Sequence, residues 1–370
     1  MTDFLIGGMA SELGKTTEAI ERLTREITPP NEVWRSKARS HLDTLTKPIG
    51  SLGRLEDLAA QMVAIRQARF GDPVRKAVYI FAADHGITAE GVSAYPREVT
   101  HQMVLNFLAE GAAINVLARL HGTALRVIDV GVDADLKDTP GLLRHKVRKA
   151  SRNMLQEAAM SEEEVRQALL VGVQLGADAA AEGHTLIAIG EMGIGNTTAA
   201  SAITCALTGV SATLATGHGT GVDHAQYAHK TRVVEAVVAK HCDVSKPPSP
   251  LEILRCVGGL EIAAMTGMVL SAARHGLAIV MDGFISTAAG TLAAAIEPNV
   301  QGYLIAGHCS EEPGHKVLLD RLKLAPILTL GMRLGEGTGA VLAMPVVESA
   351  ISLYTQMATF ASAGVSGVSR

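Results

Sequence analysis

Three glycine-rich segments carry polar side chains that could bind a phosphate or move a proton. The first, residues 190–198, reads GEMGIGNTT and places glycines on both sides of Ile194, just before a predicted helix. Backbone N–H groups at such a turn, with the helix dipole behind them, favour an anion. A tight strand-to-helix turn that needs positive φ would explain the same glycines without a ligand. The segment lacks the GK[ST] ending of a P-loop and the GxGxxG spacing of a dinucleotide site.

The second segment, residues 217–221, reads GHGTG and is followed by Asp223. It precedes a predicted helix over 223–241 that carries Lys230. This arrangement is typical of a phosphate contact from the loop and the lysine. An N-terminal helix cap with a solvated lysine explains the residues equally well.

The third segment, residues 335–339, reads GEGTG and places Glu336 just before an apolar helix. Partial desolvation beside Leu334 would raise the pKa of this carboxyl into the range of a general base. The dipole of the following helix would instead lower its pKa. Both interpretations are open from the sequence.

Histidine and cysteine spacing does not predict a metal site. The two groups that invite such an interpretation are His218, His224 and His229, and His308, Cys309 and His315. Neither group has HExxH or paired Cys/His spacing. The chain has 4 cysteines without a CxxC pair, so a disulfide framework is not predicted either, and a reduced cytoplasmic setting fits.

Short apolar runs alternate with helical patterns along the chain, which is typical of a parallel sheet covered by helices on both faces. The runs that we interpret as strands are 77–81, 125–130, 185–189, 277–281 and 302–306. Ligands of such sheets bind beyond the carboxyl ends of the strands. Glycine together with Asp, His, Glu or Asn follows four of these five runs. We therefore look for the site at that edge.

The predicted domain organisation has three parts. Residues 1–24 form an N-terminal extension, and residues 73–339 form a Rossmann-like α/β catalytic domain. The helical chain ends, 25–72 and 340–370, pair as a small helical domain beside the sheet. Residues 99–120 are predicted to be a single helix.

Composition excludes several classes of protein. The 370 residues include 33 Lys and Arg against 37 Asp and Glu, a net charge of −4, and only 3% aromatic residues. This balance argues against nucleic-acid binding, and the 48% hydrophobic content argues against disorder. Residues 192–222 contain no charged side chain, but their glycines and threonines indicate buried packing, not membrane insertion.

Five motifs in a fixed order resemble one known family. They are KPIGSLGRLE (47–56), ADHG (83–86), GEMGIGNTT (190–198), DGF (282–284) and RLGEGTGA (333–340). Taken together they are similar to nicotinate-nucleotide:dimethylbenzimidazole phosphoribosyltransferases of cobalamin biosynthesis. The resemblance covers roughly residues 25–360, and the ordered set is far more specific than any single motif.

The resemblance implies a homodimeric enzyme with a Rossmann-like sheet and a small helical domain. It implies transfer of phosphoribosyl from nicotinate mononucleotide to 5,6-dimethylbenzimidazole, which gives α-ribazole 5′-phosphate and nicotinate. The anomeric carbon would be inverted by attack opposite the leaving nicotinate. No cofactor and no metal are implied.

The resemblance also implies roles for particular residues. Glu336 would be the general base, and Glu191 a second carboxylate that is either catalytic or structural. The mononucleotide would be bound by Gly193, Gly195, Asn196, Thr197, Lys230, Ser310 and Gly335. The benzimidazole pocket would be lined by Leu334, Tyr95 and Met103. Benzimidazole and adenine are similar in shape, so the preferred base stays open.

Two other functions compete with this one. A non-catalytic nucleotide-binding protein would keep Gly193 and Gly195 but would not need Glu336. A transferase acting on phosphoribosyl pyrophosphate commonly has an acidic pair after a strand, and the sequence contains no Asp-Asp pair.

Overall fold

The computed structural model describes residues 18, 20–136, 139–219, 221, 223–243 and 246–366. Their strands are β1 (Lys76–Ala83), β2 (Ala124–Gly131), β3 (Leu142–Arg144), β4 (Leu186–Met192), β5 (Ala278–Met281) and β6 (Leu304–Ala306). They form one parallel sheet in the order β3-β2-β1-β4-β5-β6. This is the doubly wound order of Rossmann folds, in which the strand order reverses beside β1.

All five predicted strands are present. Four of them are almost completely buried, as continuous apolar runs in a parallel sheet require, and β2 is buried only in its second half. A sixth strand, β3, was not predicted. It has only three residues and pairs with Val127–Asp129 at the edge of the sheet. Its structure depends on this neighbour, so its own sequence carries too short a pattern to detect.

The residues that the structure describes include fourteen α-helices. They are α1 (Glu32–Leu42), α2 (Arg54–Arg66), α3 (Val99–Leu108), α4 (Ala113–Leu120), α5 (Glu162–Ala181), α6 (Asn196–Thr208), α7 (Ala212–Ala215), α8 (His224–His241), α9 (Pro250–Val257), α10 (Leu260–Arg274), α11 (Phe284–Ile296), α12 (Pro313–Leu322), α13 (Thr338–Gln356) and α14 (Phe360–Ala363). Short 3₁₀ turns lie at Gln67–Arg69, Gly86–Glu90 and Pro298–Tyr303.

Helices cover both faces of the sheet. On one side α10 packs against β1, β2 and β5 and is itself covered by α5. On the other side α13 packs against β4 and β5 and reaches α2 and α4. The result is an α/β fold of the predicted class.

The two ends of the described chain meet. Leu45 forms a bridge with Thr359, and the ring of Tyr354 contacts both His41 and Phe70. The predicted boundary at residue 340 falls inside α13, whose first half packs on the sheet. The division into domains stays a prediction, and most of the extension 1–24, with residues 367–370, lies outside the described residues.

The prediction of one helix over residues 99–120 is wrong, because α3 ends at Leu108 and α4 begins at Ala113. The side chain of Asn115 explains the break. Its Nδ2 donates to the carbonyl of Phe107 at 2.9 Å, and its Oδ1 accepts from the N–H of Ala112 at 3.1 Å. One amide thus satisfies backbone groups on both sides of the interruption.

Two helical stretches of the described chain are long and apolar enough to cross a membrane, judged by length and composition alone. They are Val99–Leu120 and Thr338–Gln356. The first contains the break between Leu108 and Ala113, and half of the apolar window in the second is buried inside the fold. Core helices pass the same test, so these stretches are weak evidence for insertion.

The contact between α5 and α10 depends on glycine. A Cβ on Gly267 would overlap the carbonyl of Leu169, and a Cβ on Gly172 would overlap the carbonyl of Ala264. Both obstacles are backbone atoms, which cannot move aside as a side chain can. The two helices therefore pack with their backbones in direct contact at these glycines.

Gly267→Ala is expected to destabilise the protein by about 1–3 kcal/mol, although Gly→Ala normally favours a helix, because the added methyl forces the two backbones apart. The measurement is the urea midpoint of unfolding. Gly71→Ala is the control, because a Cβ there meets open space at an ordinary φ. A Gly267→Ala protein as stable as the control would contradict this account.

Candidate active site

The loop after β4 packs tightly against the end of β1. Gly195 has φ +95°, which favours glycine, and it caps α6. A Cβ on Gly193 would overlap the carbonyl of Ala83. The N–H of Ile194 donates to Thr100 Oγ1 at 3.1 Å. Both predicted glycines therefore meet a steric need, and they bring backbone and the N-terminus of α6 to the edge where ligands of this fold bind.

Lys230 is buried behind this edge with 1% of its surface exposed, so the alternative of a solvated lysine is wrong. Its Nζ donates to Thr197 Oγ1 at 2.8 Å and to the carbonyl of Gly217 at 3.4 Å. Burial lowers its pKa to about 8, and the nearby charge of Glu312 partly opposes that shift. A cation placed behind two cleft loops suits an anionic ligand.

Glu336 is buried at the start of α13, and its backbone has φ +63°, a strained value for a non-glycine residue. The strain is held by Asp282, which accepts from the N–H of Gly337 at 3.1 Å and from that of Ala340 at 3.0 Å. Burial, assisted by the charge of Asp282, raises the pKa of Glu336 to about 7. Desolvation therefore dominates over the helix dipole, and the carboxyl is poised for proton transfer near neutral pH.

Glu191 lies beside Glu336. A Cβ on Gly335 would come within 2.5 Å of Glu191 Oε1, so the glycine lets the two strand-end loops meet. Asn196 Nδ2 donates to Glu191 Oε2. Burial, then the charges of Glu261 and Asp282, raise the pKa of Glu191 to about 8. Burial thus raises the pKa of both carboxyls well above the ordinary value of a glutamate, as is common in acid–base sites.

These groups border one cleft at the carboxyl edge of the sheet. Its lining residues are Glu191, Met192, Gly193, Ile194, Asn196, Thr197, Gly219, Gly283, Phe284, Ile285, His308, Ser310, Glu312, Arg333, Leu334 and Gly335. The exposed surface of the lining is mostly apolar, although seven of the sixteen residues are polar or charged, and small-molecule sites combine the two in this way. Among the described residues, no three His, Cys, Asp or Glu side chains are grouped as metal ligands.

Most of the predicted site residues converge on this cleft. Lys230 and Glu336 lie just behind its lining, the first against Thr197 and the second next to Gly335. Tyr95 and Met103 are not among the lining residues. Tyr95 is half exposed and lines a separate depression with Ser93.

Several lining or supporting residues were not predicted as site residues. Asp282 and His308 lie under the glycine loop of Glu336, with their nearest oxygen and nitrogen 3.8 Å apart. Arg333 donates to the carbonyl of Gly219 at 2.7 Å, and Glu312 accepts from the N–H of Gly219 at 2.8 Å. All four belong to the motifs after strands or before Glu336, so the signal was present. Burial distinguishes a site residue from a turn residue, and burial at these positions is known only from the structure.

Comparison with known proteins assigns the chain to a family. A family model described as "Phosphoribosyltransferase" matches residues 27–365. The nicotinate-nucleotide–dimethylbenzimidazole phosphoribosyltransferase of Geobacter sulfurreducens is 49% identical, over 94% of this chain and 97% of the relative. The enzyme of the same name from Chlorobaculum tepidum is 45% identical, over 95% and 99%. The crystal structure of CobT from Thermus thermophilus has a TM-score of 0.86 at 47% identity and covers 90% of this chain and 99% of that one.

Proposed function

Since the chain belongs to the nicotinate-nucleotide–dimethylbenzimidazole phosphoribosyltransferases, pentosyltransferases of cobalamin biosynthesis, we propose that it transfers phosphoribosyl from nicotinate mononucleotide to 5,6-dimethylbenzimidazole. The products are α-ribazole 5′-phosphate and nicotinate, and the anomeric carbon is inverted. The observation that carries the proposal is the pair of buried carboxyls at one cleft, with Glu191 in its lining and Glu336 just behind it, next to Gly335.

The proposed reaction requires one general base and the correct positioning of the two substrates. Nicotinate leaves the ribosyl carbon from a pyridinium, so the bond breaks without protonation of the leaving group. The incoming benzimidazole attacks through one ring nitrogen and becomes cationic. Glu336 takes the proton from the other ring nitrogen, which leaves a neutral ring in the product. Attack on the ribose face opposite nicotinate converts the β-linkage to α.

Glu191 acts as the neutral partner of Glu336. With a pKa raised to about 8, it is mostly protonated at neutral pH, while Glu336, near 7, is about half ionised. A protonated Glu191 adds no second negative charge beside the base. Its hydrogen bond from Asn196 fixes its orientation. In this role it is a positioning residue for the base.

The phosphate of the mononucleotide binds between the backbone N–H groups at the start of α6 and the ammonium group of Lys230. Gly193, Gly195, Asn196 and Thr197 supply the loop and the start of α6, Lys230 supplies the charge, and Ser310 and Gly335 complete the mononucleotide site. The benzimidazole ring lies against Leu334. We also propose Tyr95 and Met103 as lining of the benzimidazole pocket, as the family resemblance implies. We also propose that the enzyme works as a homodimer in the cytoplasm, as the family resemblance implies.

The reaction is tested by mixing the purified chain with nicotinate mononucleotide and 5,6-dimethylbenzimidazole. We expect release of nicotinate in equal amount to a riboside product, whose α-configuration is read by NMR. Absence of nicotinate at high enzyme concentration would overturn the function. A β-configured product would overturn the inversion alone.

The pH dependence follows from Glu336 and Lys230. Protonation of Glu336 below about pH 7 removes the base, so kcat/KM for the mononucleotide should fall as pH drops. Deprotonation of Lys230 above about pH 8 removes its positive charge, so kcat/KM should also fall as pH rises. We expect a narrow bell with its maximum between these values, measured with saturating base and corrected for protonation of that base. A flat profile from pH 6 to 9 would contradict both assignments.

A further inference from the structure

Glu312 is a buried anion in the cleft that the proposed reaction does not yet use. It lines the cleft with only 5% of its surface exposed. Its Oε1 accepts from the N–H of Gly219 at 2.8 Å, and its Oε2 packs against Gly217 without a hydrogen-bond partner in the described structure. Buried carboxylate oxygens are normally satisfied, so an unpartnered oxygen on a cleft-lining residue calls for a donor.

The position of Glu312 in the cleft restricts which part of a ligand could donate a hydrogen bond to it. Its carboxylate shares the Gly217–Gly219 loop with Lys230 Nζ, which contacts the Gly217 carbonyl. The lysine marks the phosphate end of the cleft. A carboxylate accepts hydrogen bonds but repels a phosphate, so Glu312 is not itself a phosphate ligand.

His308 is the other cleft-lining residue with a buried polar atom that lacks a partner, its Nδ1. It lies on the Asp282 side of the cleft, under the loop of Glu336. Its position associates it with the reacting rings. Of these two cleft-lining residues, Glu312 is therefore the one at the phosphate end.

The group attached next to the phosphate of a mononucleotide is the ribose, which carries two hydroxyl donors. We propose that the Glu312 carboxylate accepts a hydrogen bond from a ribose hydroxyl of the bound mononucleotide and makes the site specific for ribonucleotides over deoxyribonucleotides. This inference rests on the proposed function, because that function places a mononucleotide in the cleft. Glu312 is then a specificity-determining residue.

The test compares affinities of nicotinate mononucleotide and its 2′-deoxy and 3′-deoxy analogues by calorimetry, without the acceptor base. The unaltered protein should bind at least one deoxy analogue about 10- to 100-fold more weakly, the range of a hydrogen bond to a charged group. Glu312→Gln keeps an oxygen for the Gly219 N–H and places an NH₂ group where Oε2 lies. In this variant we expect the discrimination to fall to about 2-fold or less.

Glu311→Gln is the matched control, because Glu311 is the exposed neighbour in sequence and does not line the cleft. It should discriminate as the unaltered protein does. Inorganic phosphate should bind Glu312→Gln at least as tightly, because a nearby negative charge is removed. That readout separates a hydroxyl acceptor from a phosphate ligand.

Three results would overturn the inference: no discrimination by the unaltered protein, unchanged discrimination by Glu312→Gln, or weaker phosphate binding by that variant. Unchanged discrimination would leave Glu312 as a counter-charge to Lys230. Binding does not require turnover, so failure of the proposed reaction is seen separately. A protein that discriminates between the nucleotides but releases no nicotinate with 5,6-dimethylbenzimidazole would contradict the reaction and support the inference.

Discussion

Glu336→Gln is expected to lower kcat by about 10²- to 10⁴-fold, the range for loss of a general base. The amide keeps the size of the side chain, but it cannot take the proton from the attacking benzimidazole. Binding of nicotinate mononucleotide should change little, since the carboxyl lies beside the cleft lining and not at its phosphate end. The measurement is steady-state release of nicotinate at saturating concentrations of both substrates.

Glu191→Gln is the informative comparison for this prediction. Because the pKa of Glu191 is raised to about 8, the glutamine resembles its protonated state at pH 7. We expect a loss of kcat within about tenfold, far smaller than for Glu336→Gln. The reverse order of effects would move the role of base to Glu191. Unfolding midpoints of both variants should match the unaltered protein, which separates lost chemistry from lost structure.

The backbone of Glu336 is strained, with φ +63°. Glutamine is as strained there as glutamate, so the substitution changes the proton chemistry and leaves the backbone cost unaltered. A glycine would relieve the strain while removing the carboxyl. The conservative variant is therefore the one that isolates the base.

The elements with a strong local pattern could be predicted from the sequence. The five longer apolar runs became strands, because burial on both faces of a parallel sheet demands continuous apolar residues. Ser161 and Glu164 have the spacing of a capping box at the start of α5, and both of its hydrogen bonds are present. These features are encoded by neighbours in sequence, so a single sequence reveals them.

The break between α3 and α4 could not be read in the same way. Residues 99–120 are apolar at helical spacing throughout. The interruption depends on one amide, that of Asn115, bonding on both sides of the gap. A helical position and a capping position look alike when only the residue type is known.

In the candidate site too, some features follow from local sequence and others depend on tertiary contacts. The glycine segments and Glu336 were predicted as site residues because their residue types and spacing indicate a turn beside a carboxyl. Two opposed pKa shifts were open for Glu336, and only its burial in the fold decides between them. The importance of Glu312 likewise arises from long-range packing, since it meets Gly219 from 93 residues away.

Lys230→Met should raise KM for nicotinate mononucleotide by about 10- to 100-fold while kcat stays within a few fold. Methionine keeps the length of the buried stem but removes the positive charge, and a charge-assisted hydrogen bond to phosphate is worth that range. The alkaline limb of the pH profile should become shallower with it, because Lys230 and Glu191 both titrate near pH 8 and only Glu191 is left. Both results come from initial rates across pH with the mononucleotide varied.

A control and a double variant sharpen the prediction for Lys230. Lys316→Met removes an exposed lysine on α12 and should leave KM unchanged. In Lys230→Met alone, the buried carboxylate of Glu312 loses a nearby counter-charge, which destabilises the loop. Adding Glu312→Gln removes that uncompensated anion, so the double variant should unfold at higher urea than Lys230→Met while its KM stays high. A Lys230→Met protein with an unaltered KM and an unaltered alkaline limb would place the phosphate elsewhere in the cleft.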